Sequence, residues 1–126
     1  MGIIVTAEFK PNAAFFADLE KAIPIAIEQA GEAVRGDLII SQTMPFDKGT
    51  LQNENTFLAP VIDSKTRLIT MGPQARRLYY NPDYNFQRGK NPNAGARWLD
   101  PYLAGGEKEG KFREYFAKFM KKELGV

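Results

Sequence analysis

The longest regular pattern in this 126-residue chain is AAFFADLEKAIPIAIEQAGEAVRGDLII, residues 13–40. Apolar side chains recur here at steps of three or four residues, the period of one helix face. They form one stripe of Phe16, Leu19, Ile23, Ile27, Ala30, Val34 and Leu38. Most charged residues fall outside this stripe. The pattern therefore predicts a long amphipathic helix whose apolar face covers a sheet.

Three residues weaken this predicted helix. Pro24 removes one backbone donor and clashes with the preceding turn, so we expect a kink there, or two helices in tandem. Gly31 and Gly36 lower helix propensity further along. Before the helix, Asn12 is a suitable N-cap, and after it Pro45 is expected to end the element.

The segment before the helix, GIIVTAEFK at residues 2–10, alternates between apolar and mixed positions. Ile3, Val5, Ala7 and Phe9 share one face, and Ile4, Thr6 and Glu8 share the other. Strict alternation is typical of a strand with one buried face. This segment is therefore predicted to be a half-buried strand.

Two further strands are predicted after the helix, at Phe57–Ile62 and Arg67–Met71. The intervening Asp63-Ser64-Lys65 is a plausible hairpin turn. Pro60 places the first of these strands at a sheet edge or a bulge, because proline cannot donate to a ladder.

The remaining pattern adds a short helical turn at Gln74–Tyr80 and an amphipathic helix near the end of the chain. In that last helix, Phe112, Tyr115, Phe116, Phe119 and Met120 stand at helical spacing. The order β-α-β-β-α predicts a single α+β domain over residues 1–126. A long kinked N-terminal helix would pack on a small, mainly antiparallel sheet, with an extended aromatic-basic loop and an amphipathic C-terminal helix.

Composition excludes several classes of site. The chain has no cysteine and no histidine, which removes disulfides, thiolate sites, and imidazole ligands or bases. Phosphate-binding and nucleophile-elbow motifs are also missing from the sequence. We therefore expect no enzyme activity, no cofactor and no metal. No apolar run approaches the ~20 residues of a membrane span, and the start has no signal-peptide pattern, so neither membrane binding nor export is expected.

The loop ARRLYYNPDYNFQRGKNPNAGARW, Ala75–Trp98, combines aromatic and basic residues with two Asn-Pro pairs. Aromatic and arginine side chains are enriched at protein interfaces, and proline stiffens a segment before binding. Residues 75–106 are therefore predicted to protrude as an interaction loop. The candidate interaction residues are Arg76, Arg77, Tyr79, Tyr80, Tyr84, Phe86, Arg88, Lys90, Arg97 and Trp98. For Tyr79, Tyr80 and Trp98, packing on the domain's own core is an equal alternative.

Charge is distributed unevenly along the chain. Residues 1–63 carry nine acids and four bases, a net −5, whereas residues 64–97 carry seven bases and one acid, a net +6. Copies of such a molecule can meet head to tail with complementary charge, and such contacts close into rings when the rotation permits. The alternative is that this asymmetry has no role in assembly.

Two segments resemble the minor capsid proteins of tailed phages and prophages of Gram-positive bacteria, which are related to phage neck and tail-completion proteins. They are KGTLQNENTF (Lys48–Phe57) and ARRLYYNPDYNFQRGKNPNAGARWLDPYL (Ala75–Leu103). The family has Thr-Gly-x-Leu before a hairpin, then Tyr-Ala-Arg-x-Leu-Tyr-Tyr, an Asn-Pro-rich loop and a Trp. Lys48 and Gln74 depart from this wording, where the family usually has an acid or Thr, and often Tyr.

The resemblance implies a virion structural protein at or near the head–tail junction. Its partners would be further copies of itself in a ring and other neck, connector or tail proteins. It would be made in the host cytoplasm and reside in the virion neck. A second hypothesis is a small nucleic-acid-binding module that uses the basic-aromatic loop 75–98. Sequence-specific nucleic-acid binding is not expected, because no motif of that kind is present.

Overall fold

The structure is a computed structural model that describes Gly2, residues 13–46 and residues 49–125. The predicted first strand at residues 3–10 and the predicted cap at Asn12 lie outside the described residues. Within them, a long N-terminal helix, a two-stranded antiparallel sheet and a C-terminal helix confirm the α+β class.

The helices and strands follow one another along the chain, and the longest connection between them is residues 80–99. The elements are α1 Ala13–Ser41, α2 Thr50–Asn53, β1 Thr56–Leu58, β2 Leu68–Thr70, α3 Ala75–Tyr79 and α4 Lys111–Leu124. A single-turn 3-10 helix, Asp100–Tyr102, precedes α4. Sequence patterns predicted α1, both strands, α3 and α4, but neither α2 nor the 3-10 turn. No helix of the described residues has the length and apolar character required to cross a bilayer.

α1 continues through Pro24 as one helix of 29 residues, so the prediction of two helices in tandem is wrong. An interior proline costs a helix ~3 kcal/mol, so packing of the rest of the helix must outweigh this loss. The main packing partner is α4, which contacts α1 more extensively than any other element. Pro24 itself is exposed.

The buried face of α1 differs in part from the predicted stripe. Ile27, Ala30, Val34 and Leu38 are buried as expected. Phe16, near the start of the helix, is 52% exposed. Two small residues outside the predicted stripe, Ala22 and Ala26, are buried instead. The core thus covers the second half of α1 more completely than the first.

α1 ends at Ser41, four residues before the predicted stop at Pro45. Gln42 takes a left-handed backbone conformation, with a φ of 56°. A residue of this conformation commonly terminates a helix. The chain then turns back so that Met44 is fully buried beside Leu38.

The hairpin forms at the predicted place with shorter strands. Thr56 pairs with Thr70, and Leu58 pairs with Leu68. Asp63 and Ser64 both have positive φ values, 51° and 58°, between the bridged Ile62 and Lys65, as a two-residue type I′ hairpin turn requires. β1 stops before Pro60, whose nitrogen has no hydrogen to donate.

The sheet lies against α1 through one close approach and one hydrogen bond. A Cβ added to Gly31 would be 2.9 Å from Cδ1 of Leu58, so glycine lets the strand lie against the helix. One turn further along α1, the Arg35 Nε donates to the carbonyl oxygen of Thr56 at 2.8 Å. These contacts fix the position of β1 along the helix.

The centre of the core is formed by Leu38, Met44 and Trp98. Partly buried side chains from several elements surround them: Leu51, Leu68, Leu78, Tyr79, Leu99 and Tyr102. The core therefore joins α1, the hairpin, α3 and the segment before α4, which makes residues 75–102 an integral part of the domain.

A charged cluster ties the segment before α4 to α1. The Asp37 Oδ2 accepts hydrogen bonds from Tyr102 Oη at 2.5 Å and from Lys108 Nζ at 3.1 Å. Burial alone would raise the pKa of Asp37, but these hydrogen bonds outweigh it and hold the pKa below its ordinary value of 3.8. Asp37 is thus ionised at neutral pH and anchors both donors.

The close approach at Gly31 predicts a specific cost of a side chain there. Gly31→Val should place methyl groups against Leu58 and lower the free energy of unfolding by about 1–3 kcal/mol more than Gly36→Val. Gly36 is the matched control, since an added Cβ would meet nothing within 4 Å there. Urea unfolding measures both. Equal losses in the two variants would contradict the packing of β1 on α1.

The Asp37 cluster predicts a pH dependence of stability. Asp37→Asn should cost about 1–2 kcal/mol at pH 7, because two charge-assisted hydrogen bonds are weakened. A carboxyl with a lowered pKa stabilises the fold above its unfolded pKa and loses this effect as pH falls through the folded pKa. The difference between wild type and variant should therefore shrink below about pH 4. A difference in stability between wild type and Asp37→Asn that does not change with pH would contradict this role of the ionised Asp37.

Candidate protein-interaction surface

The loop Ala75–Trp98 has two parts with opposite environments. Residues 91–98, here called the anchor, contain the buried Asn91, Ala94 and Trp98. Residues 81–90, here called the tip, contain no buried residue, and all of them except Phe86 are exposed. Exposure in the segment 75–106 is therefore greatest over the tip and the outer side of α3, with further exposed residues at positions 92, 93, 97 and 103–105.

Asn91 connects the anchor to the turn after α1 and to α2. Its side chain is only 4% exposed. Its Nδ2 donates to the carbonyl oxygen of Met44 and to Oε1 of Gln52, both at 2.8 Å. Gln52 is itself buried in α2. The two segments that carry the family resemblance are therefore joined by a buried side-chain hydrogen bond.

Two more hydrogen bonds fasten the anchor to the end of α1. The Asn93 Nδ2 donates to the carbonyl oxygen of Ser41 at 3.0 Å. The backbone N–H of Gly95 donates to the carbonyl oxygen of Thr43 at 3.1 Å. Ala94, between them, is 1% exposed. The anchor is thus held by backbone and side chain along most of its length.

Trp98 belongs to the core rather than to the surface. It is 2% exposed, and its Nε1 donates to Oγ1 of Thr70 at 3.3 Å. The ring of Tyr79 meets it edge-on, with 4.8 Å between centroids. For these two residues, the structure shows the core packing that the sequence left as an alternative. Trp98 has no surface to offer a partner in this conformation.

Tyr79 also donates a hydrogen bond from its hydroxyl to the carboxylate of Asp100. Burial, followed by this hydrogen bond to an anionic partner, raises the pKa of Tyr79 well above its ordinary value. The phenol therefore remains a neutral donor at physiological pH. This contact ties α3 to the turn that follows the anchor.

Tyr80 and Arg97 form a second, exposed pair beside α3. Tyr80 is 57% exposed, and the Arg97 guanidinium carbon lies 5.3 Å from its ring centroid. Arg97 also forms an ion pair with Asp100, 3.5 Å between nitrogen and oxygen. Stacking and pairing hold both side chains in one arrangement, so they can meet a partner with less loss of rotamer freedom.

The tip is organised by aromatic contacts of its own. Tyr84 is 45% exposed and lies 5.8 Å from the ring of Phe86, centroid to centroid. The Arg77 guanidinium carbon lies 5.6 Å from the Tyr84 ring centroid. The Asn81 Nδ2 donates to the carbonyl oxygen of Arg77 at 2.6 Å. The tip is therefore linked to the exposed side of α3.

Positive charge dominates this exposed surface. Arg76, Arg77, Arg88 and Lys90 are all exposed, and Asp83 is the one acid of the tip. The Arg88 Nε donates to the carbonyl oxygen of Ala94 at 3.3 Å, which holds it near the anchor. Among the described residues, no group of three or more acids, cysteines or histidines could hold a metal ion. The surface thus offers positive charge to an acidic macromolecule.

Sequence reasoning missed the residues that hold the loop in place. Asn91, Gln52 and Thr56 are polar, so a hydrophobic-period argument left them out of the core. Thr56 is 1% exposed, and its Oγ1 donates to the carbonyl oxygen of Leu51 at 2.7 Å. The sequence offered one signal for these three residues: Gln52, Thr56 and Asn91 all lie within the two segments that resemble phage minor capsid proteins, residues 48–57 and 75–103.

Comparisons with models of known protein families, with curated protein sequences and with solved structures find no significant match to this chain.

The buried amide of Asn91 predicts a strong effect of its removal. Asn91→Ala should lower the free energy of unfolding by about 2 kcal/mol, because the Met44 carbonyl and the Gln52 amide lose a buried donor. Asn85→Ala is the control, since Asn85 is exposed in the tip. Urea unfolding gives the stabilities, and hydrogen exchange at Ala94 and Gly95 reports loosening of the anchor. Equal stabilities of Asn91→Ala and Asn85→Ala would contradict the structural role of Asn91.

Proposed function

We propose that this protein is a structural subunit of a tailed-phage virion, a minor capsid or neck protein that assembles into an oligomeric ring at the head–tail junction and helps join or complete the tail. The observation that carries this proposal is an exposed basic-aromatic tip on an internally fastened anchor. The sequence resemblance to phage minor capsid proteins supports the same assignment.

The aromatic side chains of the tip and of the adjoining end of α3 favour a protein partner. Tyr80 and Tyr84 present large aromatic area at the surface, and each is held by a stacked arginine. Interfaces concentrate aromatic and arginine residues, and pre-organised side chains lose less entropy on binding. A surface of this composition and order is suited to protein–protein contact.

A second copy of the chain offers a complementary surface. Acidic side chains lie exposed along α1 at Asp18, Glu20, Glu28 and Glu32. The tip and α3 carry the exposed bases described above. Contact between these two different surfaces would be heterologous, and heterologous contacts repeat into a closed ring when the rotation permits. The two ends of the ring would then contact other neck, connector or tail proteins.

Nucleic-acid binding is the second candidate function, and the interleaved bases and aromatics of the tip favour it. Binders of single strands stack bases on open aromatic faces. Here Arg77 lies over Tyr84 and Arg97 lies over Tyr80, so arginines already use a face of each ring. The arrangement supports a protein partner in preference to a single-stranded nucleic acid.

Charge reversal on α3 tests the proposed self-assembly. Arg76→Glu combined with Arg77→Glu should weaken association by at least about tenfold, because each changed residue replaces attraction to an acidic surface by repulsion. The mass measured by light scattering over a range of concentrations gives the association constant. The matched control is Arg113→Glu combined with Lys122→Glu, which makes the same charge change on exposed positions of α4.

Association of the unmodified protein should also weaken with added salt, since exposed charges are screened. A protein that stays monomeric at every concentration, or two double variants with equal effects, would contradict assembly through this surface. In a parallel titration, tight binding of random DNA that falls steeply with salt would favour the nucleic-acid alternative.

A further inference from the structure

A cleft, here called the α3 cleft, opens beside α3, between this helix, the end of the anchor and the segment before α4. Its volume is about 430 Å³. Aromatic and leucine side chains form most of its wall: Tyr79, Tyr80, Trp98, Leu99 and Leu103. Tyr80 and Leu103 are 57% and 56% exposed. The cleft therefore presents apolar area at the surface of the domain.

Arg76 also lines the α3 cleft, and its charge is not used within the domain. The neighbouring Arg77 lies over an aromatic ring, and Arg97 pairs with Asp100. Arg76 makes no ion pair and no ring contact with any residue that the structure describes. An apolar wall and an unpaired guanidinium are the two groups that bind an apolar side chain next to a carboxylate.

The first turns of α1 carry a matching pair of side chains. Phe16 is 52% exposed, the largest exposed fraction of any phenylalanine among the described residues. Glu20 is exposed one turn further along, and residues four apart are neighbours on a helix surface. Within the described part of the chain, Glu20 makes no ion pair. An aromatic ring and a carboxylate are therefore presented together.

The α3 cleft and the pair of Phe16 and Glu20 are far apart in one molecule. Leu38 of α1 belongs to the same core cluster as Trp98, whose ring lines the cleft. Phe16 lies 22 residues before Leu38 on the same helix. A helix rises 1.5 Å per residue, so ~33 Å of α1 separate the two. One molecule cannot bring its own Phe16 to its own cleft, so the complementary groups are those of a second copy.

We propose that Phe16 of one copy enters the α3 cleft of the next copy, where Glu20 pairs with Arg76. This inference rests on the self-assembly proposed above and names the groups that carry it. Two different surfaces meet, so the contact is heterologous and repeats from copy to copy. The buried ring supplies apolar area, and the ion pair fixes the orientation of one copy on the next.

A single substitution tests the aromatic half of the contact. Phe16→Ala should weaken association at least about tenfold, because a central aromatic side chain is lost from the interface. Ile40→Ala is the matched control, since Ile40 lies on the same helix and is 81% exposed. It should change association by less than about twofold, as expected of a residue outside the contact. Light scattering over a range of concentrations measures both, and equal effects would overturn the proposal.

A mixture of two variants tests which surfaces meet. Phe16→Ala keeps its cleft, and Arg76→Glu keeps its Phe16. Each variant alone should stay monomeric at concentrations where the unmodified protein assembles. Mixed in equal amounts, they should form a dimer with one copy of each and nothing larger, because a single intact contact cannot repeat. A mixture as monomeric as its components would overturn the proposal.

Charge exchange tests the ion pair. Glu20→Arg should weaken association at least about tenfold, because two positive groups then face each other. Adding Arg76→Glu to the same chain should restore association to within about threefold of the unmodified protein, since opposite charges meet again. A double variant weaker than Glu20→Arg alone would overturn the pairing.

These measurements separate the contact from the assembly on which it rests. Association that falls with Arg76→Glu combined with Arg77→Glu, but is unchanged by Phe16→Ala and Glu20→Arg, would overturn this contact and leave the proposed assembly standing. An unmodified protein that stays monomeric at every concentration would overturn both.

Discussion

The arrangement of the whole middle of the chain depends on one buried amide, that of Asn91. It joins the anchor to the turn that follows α1, through the Met44 carbonyl, and to α2, through Gln52. A polar group buried at 4% exposure is stabilising only when its hydrogen bonds are made, so the three segments are held in one relative position. With the anchor fixed there, Trp98 enters the core, and the tip is left at the surface.

This constraint explains how one loop serves two purposes. Tyr79 and Trp98 contribute apolar area to a core that the small sheet could not complete alone. Tyr84 and the exposed bases of α3 and the tip then occupy a surface next to the anchor, which is held by the hydrogen bonds of Asn91, Asn93 and Gly95. Ordering a free loop of this length would consume much of the binding free energy, whereas this loop is ordered by the fold itself. The exposed aromatics are thus available for contact between subunits.

Local patterns predicted the elements whose signals are local. The period of α1 and α4 and the turn within Asp63-Ser64-Lys65 are properties of neighbouring residues, and the structure confirms both helices and the hairpin, with the turn at Asp63 and Ser64. The roles of Asn91 and Gln52 could not be predicted from local patterns, because their hydrogen bond joins positions 39 residues apart. The exposure of Phe16 was missed for a related reason: periodicity shows which face is apolar, but not how far a partner covers it. The core position of Trp98 was left open for the same reason.

The most direct test of the central claim, that an anchored loop presents its tip to another copy, is hydrogen exchange by mass spectrometry on dilute and concentrated protein. The account predicts slower exchange with rising concentration in peptides covering residues 76–90 and in peptides covering the exposed acids of α1, Asp18, Glu20, Glu28 and Glu32. The anchor, residues 91–98, should be equally protected at both concentrations. Exchange of the tip that is independent of concentration, while another surface becomes protected, would contradict the account.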